Sequence, residues 1–149
     1  MKVGSMKTIY VNPEKAPRDW WLVDAKDKTL GRVAAEVAAV LRGKKKPHFV
    51  PHQEIGDYVV VINAGKVVVS GNKEQDKMYH FHSRFPGGMK NFSFAALLKR
   101  RPEAPLEIAI RGMLPKNRLG RKLFNNVKVY ADEKHPHVAQ KPRVLEIKE

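Results

Sequence analysis

The sequence predicts an α/β domain with a mostly parallel central sheet flanked by helices and extended segments at both ends. Three observations carry that class. Short runs of aromatic and branched residues alternate with segments whose apolar residues recur at helical spacing. Tyr58-Val59-Val60-Val61-Ile62-Asn63 is a nearly continuous apolar run, the pattern of a strand covered on both faces. The chain has 149 residues, enough for one domain that buries roughly 68–70% of its unfolded surface. The whole of 1–149 is therefore read as one domain: an extended arm over 1–18, an α/β core over 19–131 and a C-terminal tail over 132–149.

Residues 1–18 are polar and carry Pro13 and Pro17, so they read as an arm. Trp20-Trp21-Leu22-Val23 ends at Asp24 and reads as a buried strand, with both tryptophans in the core. Asp27-Lys28-Thr29 offers a helix cap. Leu30, Val33, Ala34, Val37, Ala38 and Leu41 then form one apolar helical stripe, and Gly43 stops the helix. Arg32 and Glu36 sit four apart on its other side, a supporting pair. Residues 44–57 are a loop. Val67–Val69 is a short strand or strand extension, Ser70–Lys73 a turn, Met78–His82 a strand and Phe85–Gly88 a loop. Ser93 caps a helix through Phe94, Leu97, Leu98 and Arg101, which Pro102 and Pro105 break. Leu106 to Met113 supports another helix, and Leu119, Leu123 and Phe124 a third short one. Val127–Tyr130 reads as the final strand, and 132–149 as a tail that orders only on a partner.

Charge narrows the function. Lys and Arg number 29 against 15 Asp and Glu, a net +14, and the pI is about 10.1. That balance points to a polyanionic partner, nucleic acid ahead of a membrane surface. No run of 18 apolar residues spans a membrane. The N-terminal stretch has no apolar core of a secretory signal, so a cytosolic setting is expected. The absence of cysteine excludes disulfides, a thiol nucleophile and cysteine-ligated metal. From Lys77 to Pro102 there are six basic residues and no acid, and from Leu114 to Ala131 five and no acid. Lys44, Lys45 and Lys46 form a third cluster. A single charge run is often only a solvated face. Three beside glycine and proline loops suit an irregular folded RNA, read through phosphates and shape, better than a regular DNA groove. Lys44, Lys45, Lys46, His48, Arg84, Lys90, Arg100, Arg101, Arg111, Lys116, Asn117, Arg118, Arg121, Lys122 and Lys128 are the candidate RNA-binding residues.

Catalysis is not expected. The first strand is followed by Asp24-Ala25-Lys26-Asp27-Lys28-Thr29, not a phosphate-binding glycine turn, and no Gly-Lys-Ser/Thr motif occurs. Asp24, Glu54 and Asp57 have no paired spacing and read as caps or ion-pair partners. His80-x-His82 and His135-x-His137 could touch a metal, but no cysteine completes a zinc set; base or phosphate contact is the better reading. No cofactor or small-molecule substrate is expected.

Several blocks then fit one known pattern. Asp19-Trp20-Trp21-Leu22-Val23-Asp24-Ala25, Lys28-Thr29-Leu30-Gly31-Arg32 and Leu41-Arg42-Gly43-Lys44 come first. Gly56-Asp57-Tyr58 through Ala64 and Ser70-Gly71-Asn72-Lys73 follow. Arg111-Gly112-Met113-Leu114-Pro115-Lys116, Leu119-Gly120-Arg121, Lys128-Val129-Tyr130-Ala131 and His135-Pro136-His137 close the series. Together they resemble the bacterial ribosomal protein L-thirteen family of the large subunit, from about Met6 to Ile147. Residues 1–5 look like an extension, and Asp132 stands where that pattern has glycine. The resemblance implies a three-layer α/β domain and a structural protein of the large (50S) subunit. It implies binding to 23S ribosomal RNA, neighbouring ribosomal proteins as partners, entry early in assembly, and no catalysis or cofactor. It carries Lys44, Arg111, Lys116, Arg121 and Lys128 as signature positions; the other candidates rest on charge and loop context.

Overall fold

In the computed structural model, residues 11–12 and 16–147 are described; the expected arm and the extension at 1–5 lie mostly outside them. The first strand, β1 (Trp20–Asp24), leads into α1 (Leu30–Arg42) and back to β2 (Tyr58–Ile62). The strands pair in parallel, Trp20 opposite Tyr58 through Asp24 opposite Ile62. α1 buries the expected stripe and Val40 besides. Each valine and leucine among them contributes about 1.5–3 kcal/mol when fully withdrawn from water. Gly43 ends the helix at φ +79°, its N–H and that of Lys44 satisfying the carbonyls of Val40 and Ala39. At the other end Thr29 makes no side-chain cap; the Leu30 N–H donates to the Val68 carbonyl instead. That contact explains Val67–Val69, where only Val68 joins, by a lone bridge to Thr29.

A one-turn helix α2 (Lys73–Asp76) precedes a two-stranded antiparallel hairpin, β3 (Met78–His82) and β4 (Met89–Ser93). β4 is not legible from its sequence, because Met89-Lys90-Asn91 has no apolar alternation. Ser93 caps α3 (Phe94–Arg100) as expected, its Oγ accepting from the Ala96 N–H. α4 (Ala104–Met113) begins two residues earlier than the apolar pattern suggests. Pro105 sits in its first turn, where a missing N–H costs nothing, and so starts this helix while Pro102 follows α3. α5 (Arg118–Phe124) leads to β5 (Val127–Val129), parallel to β2.

β5 is not the last strand. Arg143–Val144 forms β6, which pairs in parallel with β1 and completes the order β5-β2-β1-β6. The C-terminal segment thus folds on its own chain: Ile147 is buried, and the Leu145 N–H donates to the Leu22 carbonyl at 2.8 Å. The expectation of a tail ordered only by a partner is corrected here. The reason is that β1 offers a free parallel edge 122 residues upstream, Trp21 opposite Arg143, a pairing invisible to local patterning.

The mostly parallel sheet and its helices agree with the predicted class. α1, α4 and α5 touch one another and form one helical layer. It packs on the sheet face that carries Val23, Val59, Val61, Val127 and Val129. The alternate face carries Trp20, Tyr58 and Tyr130. His137 of the C-terminal segment lies over it, 5.3 Å from the Trp20 ring and 5.8 Å from that of Tyr130. Hence Trp20 is half-buried and stacked on Tyr58 at 4.7 Å, outside the main core; Trp21 points inward and donates its indole N–H to Asp57.

Candidate nucleic-acid interface

The segment from α4 to β5 is held from within. Asn117 Oδ1 accepts from the Gly120 N–H at 2.8 Å and so caps α5. Gly120 lies so close to Pro115 that any Cβ would stand 1.7 Å from its carbonyl oxygen. This packing fixes the loop between the two helices. Arg111 at the end of α4 lies over the Phe124 ring at 5.5 Å. A groove opens between these pieces, lined by Arg111, Lys116, Asn117, Arg121 and Lys122 together with Phe124, and no acid lines it. Arg118 and Lys128 are exposed on α5 and on the edge strand β5 but do not line the groove. Among the described residues, none of these cations forms an ion pair. Asn117 is here a capping residue first.

The loop over 44–57 behaves otherwise. Lys46 is half-buried against Asp57 and also donates to the carbonyls of Pro17 and Ile55 at 2.7 and 2.9 Å. Asp57 accepts in addition from the Asp19 N–H and the Trp21 indole, each at 3.0 Å. Lys46 therefore has a structural role, its ammonium held on a buried carboxylate. Lys45 reaches Glu36 at 2.6 Å on the surface, so Glu36 pairs with Lys45 and not with Arg32. His48 is half-buried, and its Nε2 is enclosed without a partner, which removes that nitrogen from an incoming phosphate. Lys44 alone in this cluster is exposed and unpaired among the described residues.

Glu54 and Asp57 take the ion-pair role expected of them, while Asp24 neither caps a helix nor forms an ion pair among the described residues. Glu54 accepts from Arg18 and from Asn126, and Asp24 from the Asn63 amide and the Lys26 N–H. Among the described residues no group of three or more His, Asp or Glu could hold a metal ion. No helix of the described residues is long and apolar enough to cross a membrane.

The hairpin and the end of α3 carry the remaining candidates. Arg84 stands at its tip with φ +68°, Lys90 is exposed on β4, and Arg100 lies over the Phe92 ring at 5.2 Å. Arg101 is exposed 4.0 Å from Glu107. Beside these cations stand aromatic rings that the charge reading passed over: Phe81 is 41% exposed and Phe85 73%. The signal for Phe81 is the alternation over 78–82, while Phe85 falls in the segment that composition marks as a loop.

Comparison with known proteins gives one family. The family model described as ribosomal protein L13 matches residues 18–136. A protein of Treponema denticola is 60% identical over 142 residues, covering 95% of this chain and all of the relative. Proteins of Vibrio cholerae and Alcanivorax borkumensis are 56% and 57% identical over the same span and coverage. Each of the three is called large ribosomal subunit protein uL13.

Proposed function

Since this chain belongs to the ribosomal protein L13 family, we propose that it binds 23S ribosomal RNA through the basic face built by α4, α5 and β5, and that it enters the large subunit early in assembly. It is a structural constituent of the ribosome, not an enzyme, and its place is the cytoplasmic large subunit. Ribosomal RNA and neighbouring ribosomal proteins are its partners.

The observation that supports the RNA reading is the convergence of Arg111, Lys116, Arg121 and Lys122 on one groove with no lining acid. Unpaired cations held on a rigid loop neutralise phosphates and release counterions, and each neutralised phosphate steepens the salt dependence of binding by about 0.7–0.9 on a log–log scale. The capping bond of Asn117 and the packing of Gly120 fix the loop before RNA arrives, so little ordering entropy remains to be lost on binding. The core supplies the geometry, and the cations supply the affinity.

The test replaces Lys116, Arg118, Arg121 and Lys122 together with alanine. The variant folds, because all four are exposed. It is expected to leave large-subunit precursors on a sucrose gradient after a high-salt wash that retains the parent protein. Its salt slope with ribosomal RNA should be shallower by about 3. Undiminished incorporation together with an unchanged slope would remove this face from the interface.

A further inference from the structure

A second depression adjoins the basic groove and shares Arg111 and Lys116 with it. It lies between β3 and α4 and has a volume of about 580 Å³, within the range of clefts that enclose small molecules. One wall is apolar: Phe81 is 41% and Ile108 37% exposed, both on its lining. Gly112 lines it too, and the space a Cβ would occupy there is open. Its charged lining residues are Arg111 and Lys116, with no carboxylate.

We propose that this cleft receives one unpaired nucleotide of RNA, its base against Phe81 and Ile108 and its phosphate on Arg111 and Lys116. The inference rests on the RNA-binding reading of the adjoining face and sharpens it from phosphate contact to capture of a base. A paired duplex would use the two cations and leave the apolar wall wet. An unpaired nucleotide uses both, because a flat base face and a phosphate are joined through one sugar. The edge of β3 supplies the rest. Among the described residues β3 pairs only with β4, so its other edge is open to a partner, and Met78 to Phe81 of this strand line the cleft. Such groups meet the polar rim of a base. A protein strand could pair with the same edge, but two cations without an acid favour a polyanion.

The test uses the full chain and two RNA probes with equal numbers of phosphates: a single strand of mixed sequence and a fully paired hairpin. Fluorescence anisotropy reads both affinities. Phe81→Ala is expected to weaken single-strand binding about tenfold while the hairpin affinity stays within about twofold, the scatter such surface changes produce. Phe81→Tyr, which keeps a ring face, should bind like the parent, and Ile108→Ser should repeat the single-strand loss. Arg111→Ala should weaken both probes. Both apolar variants are exposed, and unchanged far-UV circular dichroism and thermal midpoints exclude misfolding as the cause. Equal loss on both probes, or none on the single strand, overturns the proposal. So does a loss of subunit incorporation with both RNA affinities intact, which would assign the cleft to a protein neighbour. If the four-cation variant also binds both probes like the parent, the RNA reading fails as a whole; if that variant loses both and Phe81→Ala loses neither, only the base cleft falls.

Discussion

The two basic loops of this protein look alike in sequence and are opposites in structure. Residues 43–57 carry three consecutive lysines, yet one is held on the buried Asp57 and one is tied to Glu36. Residues 111–128 carry six cations, and among the described residues none of them has an ionic partner. Both loops are pinned by a glycine under a carbonyl, Gly56 beneath Leu41 and Gly120 beneath Pro115, where a Cβ would approach within 1.7 Å in each case. The backbone device is shared; the fate of the charge is not. A cluster of lysines measures the charge a segment holds, while the charge it can offer a ligand depends on the acids that folding brings beside it.

The largest effect that would sharpen this contrast is Lys46→Ala. It removes the cation from a buried carboxylate that keeps its bonds from the Asp19 N–H and the Trp21 indole, and breaking one partner of such a pair costs up to about 3–5 kcal/mol. Urea unfolding should show that loss, while the folded fraction binds RNA with an unchanged salt slope. Lys45→Ala should cost under about 1 kcal/mol, as exposed pairs do. If Lys46→Ala were no costlier than Lys45→Ala, the distinction between a structural and a surface lysine in this loop would collapse.

Gly120→Ala comes next. The added methyl must displace the Pro115 carbonyl, and overpacking of this kind costs about 1–3 kcal/mol. Because the same loop carries Lys116 and borders Arg121, RNA affinity should fall as well, although no charge is removed. Retained affinity in a destabilised variant would mean that the cations act without the fixed loop.

The smallest effect concerns the C-terminal segment. Burial first, then the nearby charges of His135 and Lys128, hold the His137 pKa below the usual histidine value. Between that folded pKa and about 6.5 the unfolded chain binds a proton that the folded chain refuses. Stability from this group is therefore full above about pH 6.5 and declines as the pH falls toward the folded pKa. Thermal midpoints from about pH 7.5 to about pH 5.5 should drop, and His137→Gln should flatten that part of the profile. An identical slope in the variant would place the titration elsewhere.

Much of this was open to reading along the chain. The strand–helix–strand unit of β1, α1 and β2 is local: branched runs, one stripe at 3.6 spacing and a stop at Gly43 suffice to define it. The family blocks are also linear strings, so Arg111, Lys116 and Arg121 could be singled out without coordinates. Acid-free segments at 77–102 and 114–131 mark where exposed positive charge gathers on the hairpin and around the groove.

What the linear reading lacked was partnership across distance. Lys46 meets Asp57 only because β2 starts beside the end of the arm, where Asp19 and Trp21 share the same carboxylate. β4 exists because β3 gives it a ladder, and β6 because β1 leaves an edge free. The Phe81 wall becomes a cleft only when α4 lies beside the hairpin. The sequence by itself determined the α/β class, the ends of α1 and the places where positive charge is dense, since propensity, periodicity and composition act over neighbouring residues. Tertiary structure alone decided which cations stay free, what covers the second face of the sheet and where an apolar wall stands beside charge, because ion pairs, parallel strands and clefts are contacts between residues far apart along the chain.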